Sequence, residues 1–276
     1  EGLHPSIGQR IAELAQLIAQ LEGRARIPQI EVAVAGSITA LVFRHLDPLS
    51  QGDLGRLKQY AMERQLHVYL QPAGPDSVQP LWPEQSVLSY QLPAESIEIR
   101  FEPTDFTQIN TTINEQMVAR VLDLLALDRN DTVLDLFCGL GNFTLPMARH
   151  AGAVIGVEGD AGLVGRARDN AALNGLENTT FHSANLADKN AAAAWADTAC
   201  NKVLLDPPRS GAAEVLDLLA KMRPQRIVYV SCHPGSLARD AGTLVHEKGY
   251  RLLSAGVMDM FPHTAHVESI ALFEAG

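Results

Sequence analysis

The stretch Arg226-Ile-Val-Tyr-Val-Ser-Cys-His-Pro234 decides the fold class of this chain. Residues 227–230 are apolar or aromatic and rich in β-branched types, which predicts a buried strand. The strand stops at Ser231, and a helix-like pattern follows Pro234. This order places the thiol of Cys232 at the carboxyl end of a parallel strand, where open α/β sheets bind their ligands. We therefore interpret Cys232 as a candidate nucleophile; the alternative is a small buried hydrophobic residue.

Strands and helices alternate strictly from about residue 105 onward. The strands are predicted at residues 132–136, 153–157, 178–181, 202–205, 226–231, 251–261 and 266–273. The helices are predicted at residues 112–127 and 161–173, from about residue 142, and after the strands 202–205 and 226–231. This alternation predicts an α/β fold, with a parallel sheet covered by helices on both faces.

The first 100 residues or so have a different pattern, typical of a small α+β domain. An amphipathic helix is predicted at residues 5–22, and a second helix, capped by Ser50, runs to about residue 65. Strands are predicted at residues 29–34, 38–43, 68–70, 87–90 and 97–101, and the proline-rich segment 72–83 is predicted as a loop. The domains are therefore predicted at residues 1–100 and 101–276.

The composition is that of an ordinary globular protein. The chain has 276 residues, of which 46% are hydrophobic and 20% charged, and no apolar run is long enough to cross a membrane. Three widely spaced cysteines form neither a disulfide framework nor a zinc pattern, so a reducing cytoplasm is expected. The net charge of −10 argues against polyanion binding through overall charge, although a local basic face is compatible with it.

A glycine-containing loop marks the predicted cofactor site. Gly139 and Gly141 lie between a strand and a helix, where they let the backbone approach a ligand closely. The dinucleotide fingerprint requires a third glycine where Thr144 stands, so nicotinamide binding loses support relative to S-adenosylmethionine. Glu158 ends the next strand, 17 residues after Gly141, near the spacing of a ribose-binding acid. Asn185 follows the third strand and is a candidate for the adenine edge.

The segment Leu205-Asp206-Pro207-Pro208-Arg209 follows the fourth strand. Amino methyltransferases carry an aromatic residue at the position of Arg209, where it stacks on the target base. C5-cytosine enzymes carry a cysteine after the proline. Neither residue type is present here, so both chemistries lose support, and Cys232, one strand further on, is the cysteine at a fitting place.

Six motifs together identify a family resemblance. They lie at residues 106–110, 135–144, 155–158, 204–209, 230–234 and 259–269. With these motifs the chain resembles the RNA uracil-C5 methyltransferases, and within them the RumA-type enzymes that modify a uridine of 23S ribosomal RNA. The resemblance is strong from about residue 96 to 275 and looser before that. It implies a class I, Rossmann-like methyltransferase sheet behind a smaller domain that contacts RNA.

The resemblance also implies a site. The residues expected to contact S-adenosylmethionine are Gln108, Phe137, Gly139, Asn142, Glu158, Asn185 and Asp206. Cys232 would be the nucleophile, Glu268 the base, and Asp206 would also orient the pyrimidine. The expected partner is 23S ribosomal RNA with a single-stranded or flipped-out uridine. The alternatives are the same chemistry on the T-loop of tRNA, or a nicotinamide-dependent oxidoreductase. A monomer without membrane attachment is expected.

RumA-type enzymes differ from this chain near its start. They typically carry an upstream OB-like RNA-binding module and cysteines for a 4Fe–4S cluster, and His4-Pro5 aligns with the last of these cysteines. Because the chain begins at Glu1, we expect it to be part of a longer protein. Neither a cluster nor another metal is predicted in it, and His233, His263 and His266 are expected to be structural or to contact RNA.

Overall fold

A computed structural model describes residues 5–188, 195–196, 198–260 and 267–276. The chain divides into two compact units. The first comprises Glu1–Tyr90 and Arg100–Phe106, and the second comprises Gln91–Ile99 and Thr107–Gly276. The boundary between the two predicted domains, expected near residue 100, stays a prediction.

The first unit is built on a four-stranded sheet. Its helices are α1 (Pro5–Gly8), α2 (Ile11–Gln20) and α3 (Gln51–Arg64), and its strands are β1 (Gln29–Ala35), β2 (Ile38–Arg44), β3 (His67–Gln71) and β4 (Gln79–Trp82). The strand order is β1-β2-β3-β4, with β2 and β3 parallel and the outer pairs antiparallel. The Ser50 hydroxyl accepts a hydrogen bond from the backbone N–H of Asp53 at 3.1 Å, which confirms the predicted helix cap.

Two predictions for this unit are wrong in part. The helix predicted at residues 5–22 is two helices, because the first ends at Gly8, a residue type that weakens helices. The segment predicted as a loop contains the strand β4, although Pro80 lies inside it. The strand β4 is at the edge of the sheet and pairs with β3 alone, and edge positions tolerate the missing N–H of proline.

The second unit has a seven-stranded sheet with helices around it. Its helices are α4 (Thr111–Leu125), α5 (Thr144–His150), α6 (Ala161–Leu173), α7 (Ala213–Met222) and α8 (Pro234–His246). Its strands are β7 (Thr132–Leu136), β8 (Ala153–Glu158), β9 (Thr179–Ser183), β10 (Lys202–Leu205), β11 (Arg226–Ser231), β12 (Tyr250–Met258) and β13 (Glu268–Ala275). The strands β5 (Leu88–Leu92) and β6 (Ile97–Phe101) form a separate two-stranded sheet.

The strand order in the large sheet is β12-β13-β11-β10-β7-β8-β9. Five neighbouring strands, from β9 to β11, are parallel, as predicted. The strand β13 is antiparallel to both β11 and β12, so the sheet is mixed, and the predicted parallel arrangement does not extend to its last two strands. The reason is the connection between β12 and β13, which is shorter than the dozen or more residues that a parallel crossover requires. The chain order reverses on either side of β7, which creates a switch point between β7 and β10.

The strands in the middle of this sheet are almost entirely buried. Among their fully buried side chains are Leu134, Val203, Leu205, Ile227, Tyr229 and Phe273. Burial of this kind on both faces follows from the continuous apolar runs in the sequence. No helix in the described part of the chain is long and apolar enough to cross a membrane.

Candidate active site

Four of the predicted site residues lie where parallel strands of the large sheet end. Phe137 follows β7, Glu158 is the last residue of β8, Asp206 follows β10, and Cys232 follows β11. The carboxyl ends of parallel strands meet at one edge of a sheet, and the switch point opens a crevice at that edge.

Glu268 reaches the same edge from the opposite chain direction. It is the first residue of β13, and the next residue, Ser269, pairs with Ser231 in the antiparallel register of β11. Because Ser231 directly precedes Cys232, the pairing brings the carboxylate and the thiol to the same end of neighbouring strands. Glu268 is only 5% exposed. Burial raises the pKa of its carboxyl group, so the group holds a proton more tightly than an exposed glutamate does.

The charges in the crevice act on one another. Burial raises the pKa of the Cys232 thiol, and the negative charges of Glu268 and Asp206 add to the rise. The positive charge of Arg209 opposes it. Burial, with a contribution from Glu268, raises the pKa of Asp206 to about 7. A site with raised carboxyl pKa values can attract a cationic ligand and can hold or release protons near neutral pH.

The loop after β7 has an unusual backbone. Phe137 has a φ of 67°, and Gly139 and Gly141 have φ values of 53° and 93°, all in the left-handed region. The backbone N–H groups of Phe137 and Cys138 both donate to the carbonyl oxygen of Val157, at 2.9 and 3.1 Å. The turn is therefore fixed against β8. Nothing lies within 4 Å of the position that a Cβ would take at Gly139, so the backbone is open to a ligand there.

Glu158 is held in place by backbone donors. Its Oε2 accepts a hydrogen bond from the N–H of Gly139 at 3.1 Å. Its Oε1 accepts from the N–H groups of Gly159 at 2.6 Å and Asp160 at 3.1 Å. These bonds fix the carboxylate beside the glycine loop. A carboxylate offers about four acceptor positions, so Oε2 retains capacity for one further donor, such as a ribose hydroxyl.

The other predicted cofactor residues differ in their placement. Asn142 lies in the glycine loop, and its side-chain amide pairs with that of Asn114. Asn185 is exposed, and its Oδ1 accepts from the N–H of Ala187 at 3.1 Å, so that oxygen is used within its own turn. Gln108 is partly exposed, and in the described part of the chain it has no hydrogen bond to another of these residues. The roles of Gln108 and Asn185 stay predictions.

Two residues important for the site were missed by sequence reasoning. Asp135, inside β7, is fully buried, and its Oδ2 accepts from the hydroxyl of Thr144 at 2.5 Å. Its Oδ1 has no hydrogen-bond partner among the described residues. Burial raises the pKa of Asp135 to about 8, with contributions from Asp206 and Glu158. A carboxylate within an otherwise apolar strand was the available signal. Asn114 is the second residue that was missed. It is buried in α4 and bonded to Asn142, and its sequence neighbourhood carries no signal of this contact.

The predicted histidines differ in where they lie. His233 caps α8, which supports a structural role, whereas His263 and His266 lie outside the described residues, as does His4. Within residues 5–188, 195–196, 198–260 and 267–276, no group of three or more histidine, cysteine, aspartate and glutamate side chains is arranged to hold a metal ion.

The sheet order and the glycine loop define a Rossmann-like methyltransferase fold, and solved structures share it. The Pyrococcus abyssi tRNA (uracil-54, C5)-methyltransferase, in complex with S-adenosyl-L-homocysteine, matches with a TM-score of 0.69 and 23% identity over 86% of this chain and 57% of that one. The M. jannaschii tRNA m1G37 methyltransferase matches with a TM-score of 0.61 and 14% identity over 99% of this chain and 78% of that one. At these identities the likeness concerns the fold alone.

Sequence similarity places the chain more narrowly. The family model described as tRNA (Uracil-5-)-methyltransferase matches residues 15–275, and the chain belongs to this family. It is 55% identical to the 23S rRNA (uracil(1939)-C(5))-methyltransferase RlmD of Xanthomonas campestris pv. campestris (strain 8004), over 98% of this chain and 61% of the relative. It is also 55% identical to the RlmD protein of Methylococcus capsulatus, over 99% of this chain and 62% of the relative. The chain thus spans about three fifths of the length of these relatives.

Proposed function

We propose that this chain methylates C5 of a uridine in 23S ribosomal RNA, with S-adenosylmethionine as the methyl donor. The observation that carries the proposal is the meeting of Cys232, Asp206 and Glu268 at one edge of the sheet, where both carboxylates act on the thiol. The 55% identical relatives are named as enzymes of this reaction, which supports the same substrate here.

The glycine loop and its surroundings are proposed to hold the cofactor. The residues in this role are Gln108, Phe137, Gly139, Asn142, Glu158, Asn185 and Asp206. The open space at Gly139 and the remaining acceptor capacity of Glu158 fit a nucleoside with ribose hydroxyls. The raised pKa of Asp206, about 7, leaves a carboxyl group that can ionise beside the cofactor's ammonium group. When bound, S-adenosylmethionine supplies an electrophilic methyl group.

Cys232 is proposed to activate the uracil. C5 of uracil is a weak carbon nucleophile and does not take a methyl group directly. The Cys232 thiolate adds to C6, which forms an S–C6 bond and moves the electron pair of the C5=C6 bond into an enolate. C5 is then nucleophilic enough to accept a methyl group. Covalent catalysis of this kind divides one difficult step into easier ones.

Glu268 is proposed to complete the reaction as the base. After methylation, C5 carries both a methyl group and a hydrogen. Glu268 takes that proton, the electron pair re-forms the C5=C6 bond, and the S–C6 bond breaks to release the thiolate. Burial raises the pKa of Glu268, which brings its basicity closer to what proton abstraction near neutral pH requires. Asp206 is proposed to orient the pyrimidine and the amino end of the cofactor.

The target uridine must be accessible to the thiol. Attack on C6 occurs at the face of the ring, so the base has to be single-stranded or flipped out of a helix.

We propose that the first unit contacts the RNA and that the chain acts as a monomer. We also propose that it works in the cytoplasm, where ribosomal RNA is found. No iron–sulfur cluster is proposed for this chain.

The same chemistry on the T-loop of tRNA is the second candidate. The family model's description and the P. abyssi structure both name tRNA. The identity of 55% to the 23S rRNA enzymes, against 23% to that tRNA enzyme, favours ribosomal RNA. Membership of a methyltransferase family favours methyl transfer over the nicotinamide-dependent alternative.

Release of tritium from C5 tests the proposal. The protein is incubated with S-adenosylmethionine and with 23S rRNA fragments or tRNA that contain [5-³H]uridine. We expect one tritium released for each methyl group incorporated, with rRNA as the better substrate. Cys232→Ala should abolish both signals, whereas Cys200→Ala, a buried cysteine before β10, should retain them. Methylation without tritium release, or methylation of neither RNA, would contradict the proposal.

A further inference from the structure

The loop that carries Asp206 is fastened to the helix that follows the nucleophile. This loop, residues 206–212, connects β10 to α7. The hydroxyl of Ser236 in α8 donates to the carbonyl oxygen of Arg209 at 2.5 Å. The guanidinium of Arg239, also in α8, donates to the carbonyl oxygen of Ser210 at 2.8 Å. The backbone of Arg209 therefore has a fixed position relative to α8.

Asp240 makes a third attachment from the same helix. It is buried, and its Oδ2 accepts from the backbone N–H of Ala212 at 2.8 Å and from the hydroxyl of Tyr229 at 2.7 Å. Gly211 has a φ of 90°, and a Cβ there would lie 2.6 Å from Asp240 Oδ2. The end of the 206–212 loop is thus packed directly against α8 and β11.

The turn that carries the nucleophile is fixed at the N-terminal end of α8. The Ser231 hydroxyl accepts from the backbone N–H of His233 at 3.1 Å and donates to the His233 carbonyl oxygen at 3.1 Å. The imidazole Nδ1 of His233 accepts from the N–H of Ser236 at 3.1 Å, which caps the helix. Cys232 lies between Ser231 and His233 in the chain. Ser236 therefore links the nucleophile's turn with the carbonyl oxygen of Arg209.

This arrangement sets a balance of charges at the thiol. Glu268 and Asp206 oppose ionisation of Cys232, whereas Arg209 favours it. Among the described residues whose charges shift this thiol, Arg209 is the cationic one. A thiolate, rather than a thiol, is the nucleophile that attacks a pyrimidine, and nearby guanidinium groups stabilise thiolates.

We propose that Arg209 activates the nucleophile by stabilising the Cys232 thiolate, and that α8 positions it for this role by holding the 206–212 loop. The inference rests on the proposed function, because it concerns the same nucleophile. It gives Arg209, the arginine of the Asp-Pro-Pro-Arg segment, a role in the ionisation of the Cys232 thiol. An alternative role, the binding of an RNA phosphate, would leave the thiol of the RNA-free protein unaffected.

The test is the pH dependence of Cys232 alkylation by iodoacetamide, without RNA or cofactor. Mass spectrometry of the peptide that contains Cys232 separates it from Cys138 and Cys200, which are buried. The midpoint of the rate profile reports ionisation of the thiol, whereas the plateau at high pH reports accessibility and intrinsic reactivity. A merely structural role of Arg209 would alter the plateau and leave the midpoint unchanged.

Arg209→Ala should move the midpoint to higher pH and slow alkylation near neutral pH by roughly threefold to tenfold, the effect of losing one nearby charge at a partly exposed site. Arg209→Lys should restore most of the shift. Ser236→Ala keeps the charge but releases the loop, and should give a smaller shift in the same direction. Arg251→Ala is the matched control, because Arg251 is an exposed cation at the start of β12, near the opposite edge of the sheet.

An unchanged midpoint in Arg209→Ala would overturn the inference. A shift that Arg209→Lys fails to restore would also overturn it, because the charge would not be the cause. Arg209 is exposed, so we expect these variants to fold, and circular dichroism checks that they do. The experiment involves no methyl transfer. A shifted midpoint with no tritium release would therefore refute the proposed function alone. Tritium release with an unchanged midpoint would refute the role of Arg209 alone.

Discussion

Asn114 and Asn142 exchange two hydrogen bonds, each 2.9 Å long, in which each side-chain amide donates to the oxygen of the other. Asn114 lies in α4 and is only 2% exposed, and Asn142 lies in the glycine loop after β7. The pair fixes the plane of the Asn142 amide and joins the loop to α4. The position of Asn142 in the glycine loop is therefore tied to α4.

Replacement of Asn114 should therefore weaken cofactor binding. In Asn114→Ala, Asn142 loses both of the hydrogen bonds that join its side-chain amide to α4. We expect the affinity for S-adenosylhomocysteine, measured by calorimetry, to fall by roughly tenfold, the usual size for one or two neutral hydrogen bonds. Asn130→Ala, at an exposed loop position, is the matched control and should bind normally. Equal affinity in both variants would show that the pair does not position the cofactor site.

The buried carboxyl group of Asp135 should make stability depend on pH. Burial raises its pKa in the folded protein from 3.8 to about 8, so the folded state holds a proton that the unfolded state has lost. Its contribution to stability is present below about pH 4 and is lost as pH rises toward about 8. We expect the free energy of unfolding to decrease over this range, by at most roughly 1.4 kcal/mol per pH unit for one proton.

Asp135→Asn is neutral at every pH and should flatten this dependence. Urea unfolding at pH 5.5 and pH 8, followed by circular dichroism, measures it. Asp123→Asn, at an exposed position on α4, serves as the control. The explanation would be wrong if Asp135→Asn and the unaltered protein lost stability equally between the two pH values.

Cofactor affinity should increase with pH through the ionisation of Asp206. Its pKa is raised to about 7, so the carboxyl group is largely protonated at pH 6 and ionised at pH 8. The ionised form attracts the ammonium group of the ligand. We expect S-adenosylhomocysteine to bind more tightly at pH 8 than at pH 6, by up to roughly tenfold over the whole interval, because the ionised fraction of one group with a pKa near 7 rises about tenfold between these pH values. Asp206→Asn should bind weakly at both pH values; an unchanged pH dependence in this variant would assign the effect to another group.

Gly156 allows β8 to pack closely against its neighbours. A Cβ at this position would lie 2.7 Å from a ring carbon of Phe181 and 2.9 Å from the sulfur of Cys138. Gly156→Ala should therefore destabilise the protein by about 1–3 kcal/mol through overpacking, measured by urea unfolding. Gly55→Ala is the matched control, because nothing lies within 4 Å of the added Cβ and alanine favours the helix α3. Equal stability of the two variants would refute this explanation.

The sequence predicted the parallel strands and the residues at their ends because both signals are local. Apolar, β-branched runs define β10 and β11, and the site residues Asp206 and Cys232 directly follow these two strands. Contacts between distant residues leave no such local signal. The partner of Asn142 is 28 residues away, and nothing near either asparagine in the sequence identifies the other.

The wrong predictions have a similar origin. Pro80 suggested a loop because proline is excluded from central strands, but whether a strand lies at an edge depends on the whole sheet. The antiparallel direction of β13 follows from its short connection to β12, which the strand-and-helix alternation before it did not reveal. The effect of Arg209 on the thiol depends in the same way on the attachment of its loop to α8.

A covalent trap tests the central claim most directly. The protein is mixed with S-adenosylmethionine and 23S rRNA fragments that contain 5-fluorouridine, and the products are separated on a denaturing gel. Fluorine at C5 cannot leave as a proton, so the adduct between Cys232 and C6 should persist. We expect a stable protein–RNA band that is absent in Cys232→Ala and present in Cys200→Ala. A band of equal strength in Cys232→Ala, or no band while unsubstituted RNA is methylated, would contradict the claim that Cys232 is the nucleophile.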